Sequence, residues 1–125
     1  MKSFYVLSIL LIFSTSIFAQ AKIDFENTTV SFSNIKQGSN GERSFKFKNT
    51  GNEVLIIEKV TITSGNLKLI DTKKKINPGD KGEIKVVYDT KVSGPVRRTI
   101  TVYSNAKNKP VIALKIKGNI LDKES

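Results

Sequence analysis

The sequence contains no cysteine, no histidine and no tryptophan. Without cysteine there is no disulfide, no thiolate nucleophile and no sulfur ligand for zinc. Without histidine there is no imidazole metal site and no Ser-His-Asp arrangement. Catalysis would fall to carboxylates, lysine, tyrosine and serine, and the missing tryptophan argues against the aromatic-lined cleft that accompanies paired glycosidase carboxylates. The expectation is a protein that is not an enzyme and uses no metal and no cofactor. Acid is scarce as well: 11 Asp and Glu stand against 21 Lys and Arg, a net charge of +10, which favours contact with polyanions. No segment carries a 3.6-residue apolar recurrence over ten or more positions, which argues against an α/β fold.

The one long apolar run stands at the start. Met1-Lys2 precedes an apolar block from Phe4 to Phe13, and Ser14-Thr15-Ser16-Ile17-Phe18-Ala19-Gln20-Ala21 follows. A basic start, an apolar core too short to span a bilayer comfortably and small residues at the end describe a secretory signal peptide over residues 1–21, cut after Ala19 or Ala21. Lipid attachment is excluded because there is no cysteine. The expected location is therefore exported, periplasmic or secreted. What remains is enough for one domain, with a net charge of +9 because the leader contributes Lys2 alone. Such a domain has to be held by apolar burial.

What is present in its place is two-residue alternation. Over Glu42 to Lys48, Phe45 and Phe47 share one face while Ser44, Lys46 and Lys48 share the other, as in a strand with one buried and one wet side. Asn49-Thr50-Gly51-Asn52 turns the chain, since Gly and Asn accept positive φ cheaply. Val54-Leu55-Ile56-Ile57 suits a strand covered on both faces or a sheet centre. These two strands and their connection form the expected centre of the domain.

The rest of the chain repeats the pattern. A first strand is expected over Ile23 to Phe32, with a bulge near Asn27, and a parity shift at Glu58-Lys59 marks a second bulge. Leu67 to Ile70 is a short strand, and Ile76 is a buried anchor before the Pro78-Gly79 turn. Ile84, Val86 and Tyr88 share a face, as do Val96, Ile100 and Val102 after Gly94. Ile112, Leu114 and Ile116 do the same beyond the loop that begins at Ser104-Asn105. Arg98 interrupts the second of these rows and is placed near the strand's start with its head in water. About seven short strands with regular turns give an all-β, immunoglobulin-like β-sandwich over residues 22–120, followed by a disordered tail over 121–125. Its defining turn residues are Asn49, Gly51, Pro78, Gly79, Gly94 and Asn105.

In their order and spacing these residues resemble the bacterial family of unknown function numbered 1573, itself similar to the immunoglobulin-like domains of the abnormal-spindle, hydin and major sperm protein group. The match runs from Ile35 and Gly38 through Phe45-Lys46-Phe47, Asn49-Thr50-Gly51, Leu55, Ile57 and Val60. It continues through Pro78-Gly79, Gly82, Ile84, Val86, Tyr88, Gly94, Ile100, Val102, Ser104-Asn105, Ile116 and Gly118. Many members of that family carry a Cys-Gly-Cys where this chain has Thr63-Ser64-Gly65-Asn66, so no thiol or metal role transfers. The resemblance implies fold and export, and no reaction.

Two kinds of contact remain open. One is a binding or scaffold module that meets an unknown protein or cell-envelope component through loops or a sheet edge. The first strand or the last, Val111 to Lys117, would be that edge, with Lys115 and Lys117 guarding the latter against pairing. The other is a basic surface of Lys73, Lys74, Lys75, Arg97, Arg98, Lys107 and Lys109 for a polyanion, carbohydrate or phosphate-rich glycolipid, with only peripheral membrane contact. Nucleic acid is not expected, because the basic stretches lack interleaved aromatics and the chain is read as exported. Asp71, Asp80 and Asp89 lie in or beside loops without the spacing of a calcium loop.

Overall fold

Alternating burial decides the architecture. The computed structural model describes residues 19–63 and 65–123; most of the expected leader, residues 1–18, and the last two positions of the expected tail lie outside the described residues. The strands are β1 (Ile23–Phe25), β2 (Thr29–Ser31), β3 (Ile35–Lys36), β4 (Glu42–Asn49) and β5 (Leu55–Ile62), followed by β6 (Leu67–Thr72), β7 (Lys75–Ile76), β8 (Lys81–Tyr88), β9 (Gly94–Ser104) and β10 (Val111–Leu121). No helix occurs among the described residues. One sheet runs β1-β4-β8-β6; the other runs β2-β10-β9-β5-β7, with β3 also on β10. Pairing is antiparallel except where β2 and β3 meet β10. The result is the expected immunoglobulin-like sandwich.

The alternating residues fill the space between the sheets. Phe45 and Phe47 from one layer meet Ile100, Leu114 and Ile116 from the other, each 1 % exposed or less. Burying a side chain of this size stabilises by roughly 1.5–3 kcal/mol, and a sum of such terms replaces the missing disulfide. Val54 to Ile57 is not covered on both faces: Leu55 and Ile57 are buried, but Ile56 is 39 % exposed, because a two-layer sandwich leaves the outside of each sheet in water. The expected irregularity after Ile57 is present as a register shift between Ile57 and Lys59.

The expected first strand is three strands in two sheets. β1 pairs with β4, then the chain crosses over, and β2 and β3 pair with β10. Gly118 makes room for the crossing: a Cβ there would lie 2.7 Å from Phe32 Cβ and 2.8 Å from Phe32 N. Phe32 can then drop into the core against the Tyr88 ring, centroids 5.6 Å apart. At the other terminus the expected tail starts late, since Leu121 is still in β10 opposite Lys36 and accepts from Gln37 N–H at 2.9 Å.

Candidate anion-binding face

The outer face of the six-stranded sheet is built by the β9–β10 hairpin. Its register sets Arg97 opposite Lys117 and Thr99 opposite Lys115. All four have odd parity, so they project away from the core face of Ile100, Leu114 and Ile116. β2 extends both rows, placing Ser31 beside Lys117 and Thr29 beside Lys115. On the other side, Thr63 Oγ1 exchanges 3.3 Å hydrogen bonds with the Thr99 backbone. The rows therefore read Arg97, Lys117, Ser31 and Thr63, Thr99, Lys115, Thr29, with Lys115 roughly 7 Å from Lys117 along the strand. A shallow groove of about 560 Å³ opens over the first row, lined by Ser31, Arg97, Arg98 and Lys117 with Pro95, Val96 and Gly118. Among the described residues, Arg97, Lys115 and Lys117 have no carboxylate within ion-pair distance; the ion pairs there join Lys85 to Glu42 and Glu83. At the far end of this face Lys59 is already engaged, its ammonium 5.8 Å from the Tyr103 ring centre.

The seven basic residues expected to form one surface are divided. Arg98 has inward parity and lies half-buried near the start of β9, where it also lines the groove. Its guanidinium lies 5.5 Å over the Tyr88 ring and donates to the Arg97 carbonyl at 2.9 Å, while its Nε is buried without a hydrogen-bond partner. Lys73 lines a different groove, where Lys46, Lys73 and Lys81 are balanced by Glu26, Asp71 and Glu83. Lys74 and Lys75 are tied by backbone to β5, Lys74 accepting from Ile57 N–H and Lys75 standing opposite Ile56. Lys107 and Lys109 sit in the loop at the other end of the hairpin, roughly 24 Å from Arg97 at strand rise. Only Arg97 of the seven belongs to the outer row, and Lys115 and Lys117 complete it. Counting the hairpin register outward from the Ser104 to Pro110 loop would have found them.

The turn residues other than Gly94, which starts β9 near Arg97, gather at the opposite end. Asn49 is fully buried; its Nδ2 donates to the carbonyls of Glu53 at 2.8 Å and Ile76 at 3.0 Å, and its Oδ1 accepts from Gly51 N–H at 3.0 Å. Gly51 does not have positive φ; it is needed because a Cβ would collide with the Gln20 carbonyl oxygen. Gly79 and Gly94 do have positive φ, at 83° and 123°. Asn105 bonds the β5 backbone, accepting from Ile56 N–H at 2.7 Å and donating to the Val54 carbonyl at 3.1 Å. Asn108, which the sequence reading passed over, does the same for β1, accepting from Ile23 N–H at 3.0 Å and donating to its carbonyl at 2.9 Å.

These amides bear on the sheet edges. Asn108 occupies the outward backbone groups of β1 at Ile23, one of the edges expected to take a partner. The other, the last strand, is interior over Lys115 to Lys117, with β9 on one side and β2 on the other. β6 is an open edge carrying exposed Leu69 and Ile70, but the ladder shifts register there. The three aspartates do not converge: Asp71 is on β6, Asp89 Oδ1 accepts from Lys91 N–H, and among the described residues no group of three acids could hold a metal.

Residues 23–120 match a family model described as "Protein of unknown function (DUF1573)". A protein of unknown function from Porphyromonas gingivalis W83 has a TM-score of 0.72 at 19 % identity, over 81 % of this chain and 48 % of that one. The chain thus spans about half the length of that relative. PapD-like domain 7 of human CEP192 has a TM-score of 0.65 at 9 % identity, over 84 % and 89 % of the two chains. The YadV chaperone has 0.55 at 14 %, over 82 % and 52 %. At these identities the likeness shows the fold alone. No curated protein matches the sequence.

Proposed function

Since the chain belongs to the DUF1573 family of proteins of unknown function, we propose that it is an exported, non-catalytic binding domain whose outer six-stranded face makes a peripheral contact with a phosphate-rich lipid headgroup of the cell envelope. The observation that carries this reading is the row in which Arg97 stands opposite Lys117, with Lys115 next along β10 and, among the described residues, no carboxylate within ion-pair distance of any of them. Like charges directly opposed across an antiparallel pair are destabilising, on a scale of roughly 0.2–1 kcal/mol. Stability alone would favour a glutamate or threonine at one of the two positions. Neighbouring positions on one sheet face let the cations meet a charged surface together, each contributing about 1 kcal/mol near anionic lipid. The hydroxyls of Thr29, Ser31 and Thr99 flank them as donors for phosphate oxygens.

The test is sedimentation of the mature protein with vesicles containing phosphatidylglycerol and with neutral phosphatidylcholine vesicles. Binding to the anionic vesicles should fall by about an order of magnitude between about 0.05 and about 0.3 M salt. Lys117→Thr should lower affinity about fivefold while raising stability by a few tenths of a kcal/mol, as the Arg97 repulsion is relieved. Binding that ignores salt, or a Lys117→Thr protein that binds as tightly as the parent, overturns the proposal.

A further inference from the structure

The residues from Ala19 onward are part of the folded domain. Ala19 is exposed, Gln20 is half-buried and Ala21 is 1 % exposed within the core. Gln20 N–H donates to Asn52 Oδ1 at 2.7 Å, and its carbonyl accepts from Asn52 N–H at 2.9 Å. The Ala21 carbonyl accepts from Lys107 N–H at 2.9 Å, and Lys22 accepts from Thr50 N–H at 3.0 Å. The edge strand of the four-stranded sheet is thus anchored on both sides before β1 begins. Gly51 is a second, independent mark of the same arrangement, because what crowds its missing side chain first is the Gln20 carbonyl. A chain that lost Gln20 would remove the nearest of the atoms that crowd that turn, leaving the Lys22 nitrogen at 2.7 Å.

From this we infer that the processing site is the Ala19–Gln20 bond, and that the mature protein begins at Gln20 with its first two residues docked between the Asn52 turn and the Lys107 loop. The inference rests on the export part of the proposed function and is independent of its lipid-binding part. Sequence pattern alone does not select this bond, since Ala19-Gln20-Ala21 presents small residues at both positions for a cut after Ala21, whereas a cut after Ala19 has Ile17 in the first of them. The folded state distinguishes the two products. A chain beginning at Gln20 keeps the buried Ala21 side chain and the bonded carbonyls of both residues, and a chain beginning at Lys22 loses them. A cut after Ala21 would also strip three hydrogen bonds made by the Gln20 and Ala21 backbone, one of them to the Asn52 side chain.

The experiment is expression of the full chain in an exporting bacterial host, isolation of the processed protein and measurement of its intact mass. The expected mass begins at Gln20, with or without the ammonia that an N-terminal glutamine loses when its α-amine closes on its own side-chain amide. A mass beginning at Lys22 overturns the inference and leaves export standing; an uncut chain overturns both. A second measurement compares urea unfolding of chains beginning at Gln20 and at Lys22. The shorter chain should unfold at a clearly lower urea concentration, and equal midpoints would show that Gln20 and Ala21 contribute nothing to the fold, which also overturns the inference.

Discussion

Replacing Asn49 with alanine removes an amide bonded at both ends in a fully buried position. Its bond to the Ile76 carbonyl is wholly buried, whereas those to Glu53 and Gly51 are partly buried, so water can reach the groups left behind at the latter two. Taking about 1 kcal/mol for each accessible bond and about 2 kcal/mol for the Ile76 carbonyl left without a donor gives a loss of about 4 kcal/mol. A domain of this size has about 5–15 kcal/mol to lose, so Asn49→Ala should fold, with a greatly reduced margin. At a urea dependence of about 1.5 kcal/mol/M the midpoint should fall by roughly 2.5 M. Asn49→Asp separates hydrogen bonding from packing. It keeps the shape and the oxygen facing Gly51, but turns the donor into an acceptor aimed at two carbonyls. At neutral pH it should therefore lose at least as much as Asn49→Ala, whereas an account based on filled volume makes the aspartate the milder change. The assay is urea unfolding followed by far-ultraviolet circular dichroism. A midpoint shift below about 0.5 M for the alanine variant, or an aspartate variant more stable than the alanine one at neutral pH, refutes the reasoning.

Gly118→Ala puts a Cβ 2.7 Å from Phe32 Cβ and 2.8 Å from its nitrogen, which must lift Phe32 out of the core or part β2 from β10. The expected loss is about 2–3 kcal/mol, read as a fall of roughly 10–20 °C in the thermal midpoint; a change within about 3 °C contradicts the account of the crossing. Asn108→Ala uncovers both backbone groups of Ile23 on the open side of β1. It should cost about 1–2 kcal/mol and raise self-association in sedimentation velocity, because an uncapped edge is a template for strand pairing. A variant that is as stable and as monomeric as the parent would show that the amide does not guard the edge.

The layers and most of the core were legible because the face a strand residue occupies is set by its own neighbours through the pleat. Phe45 and Phe47, Ile84 and Val86, and Ile112 to Ile116 needed only parity to be placed inside, and the break at Glu58-Lys59 showed as a parity shift. Arg98 was read correctly as interrupting an inward row, but its stacking on Tyr88 depends on a strand from the other sheet. The same limit explains β1 to β3. Locally they read as one interrupted strand, and the change of sheet depends on Gly118, remote in sequence, leaving room for Phe32.

The candidate site shows the division most clearly. Sequence placed Arg97 on an outward face and Lys115 and Lys117 on another outward face; the hairpin register alone put those faces side by side. It also carried Lys107 and Lys109 to the opposite end, and the β6 surroundings matched Lys73 with acids. Which way a side chain points is decided within two or three residues of it. Which charges it then meets is decided by hydrogen bonds to strands far away in the chain, and those leave no local signature to read.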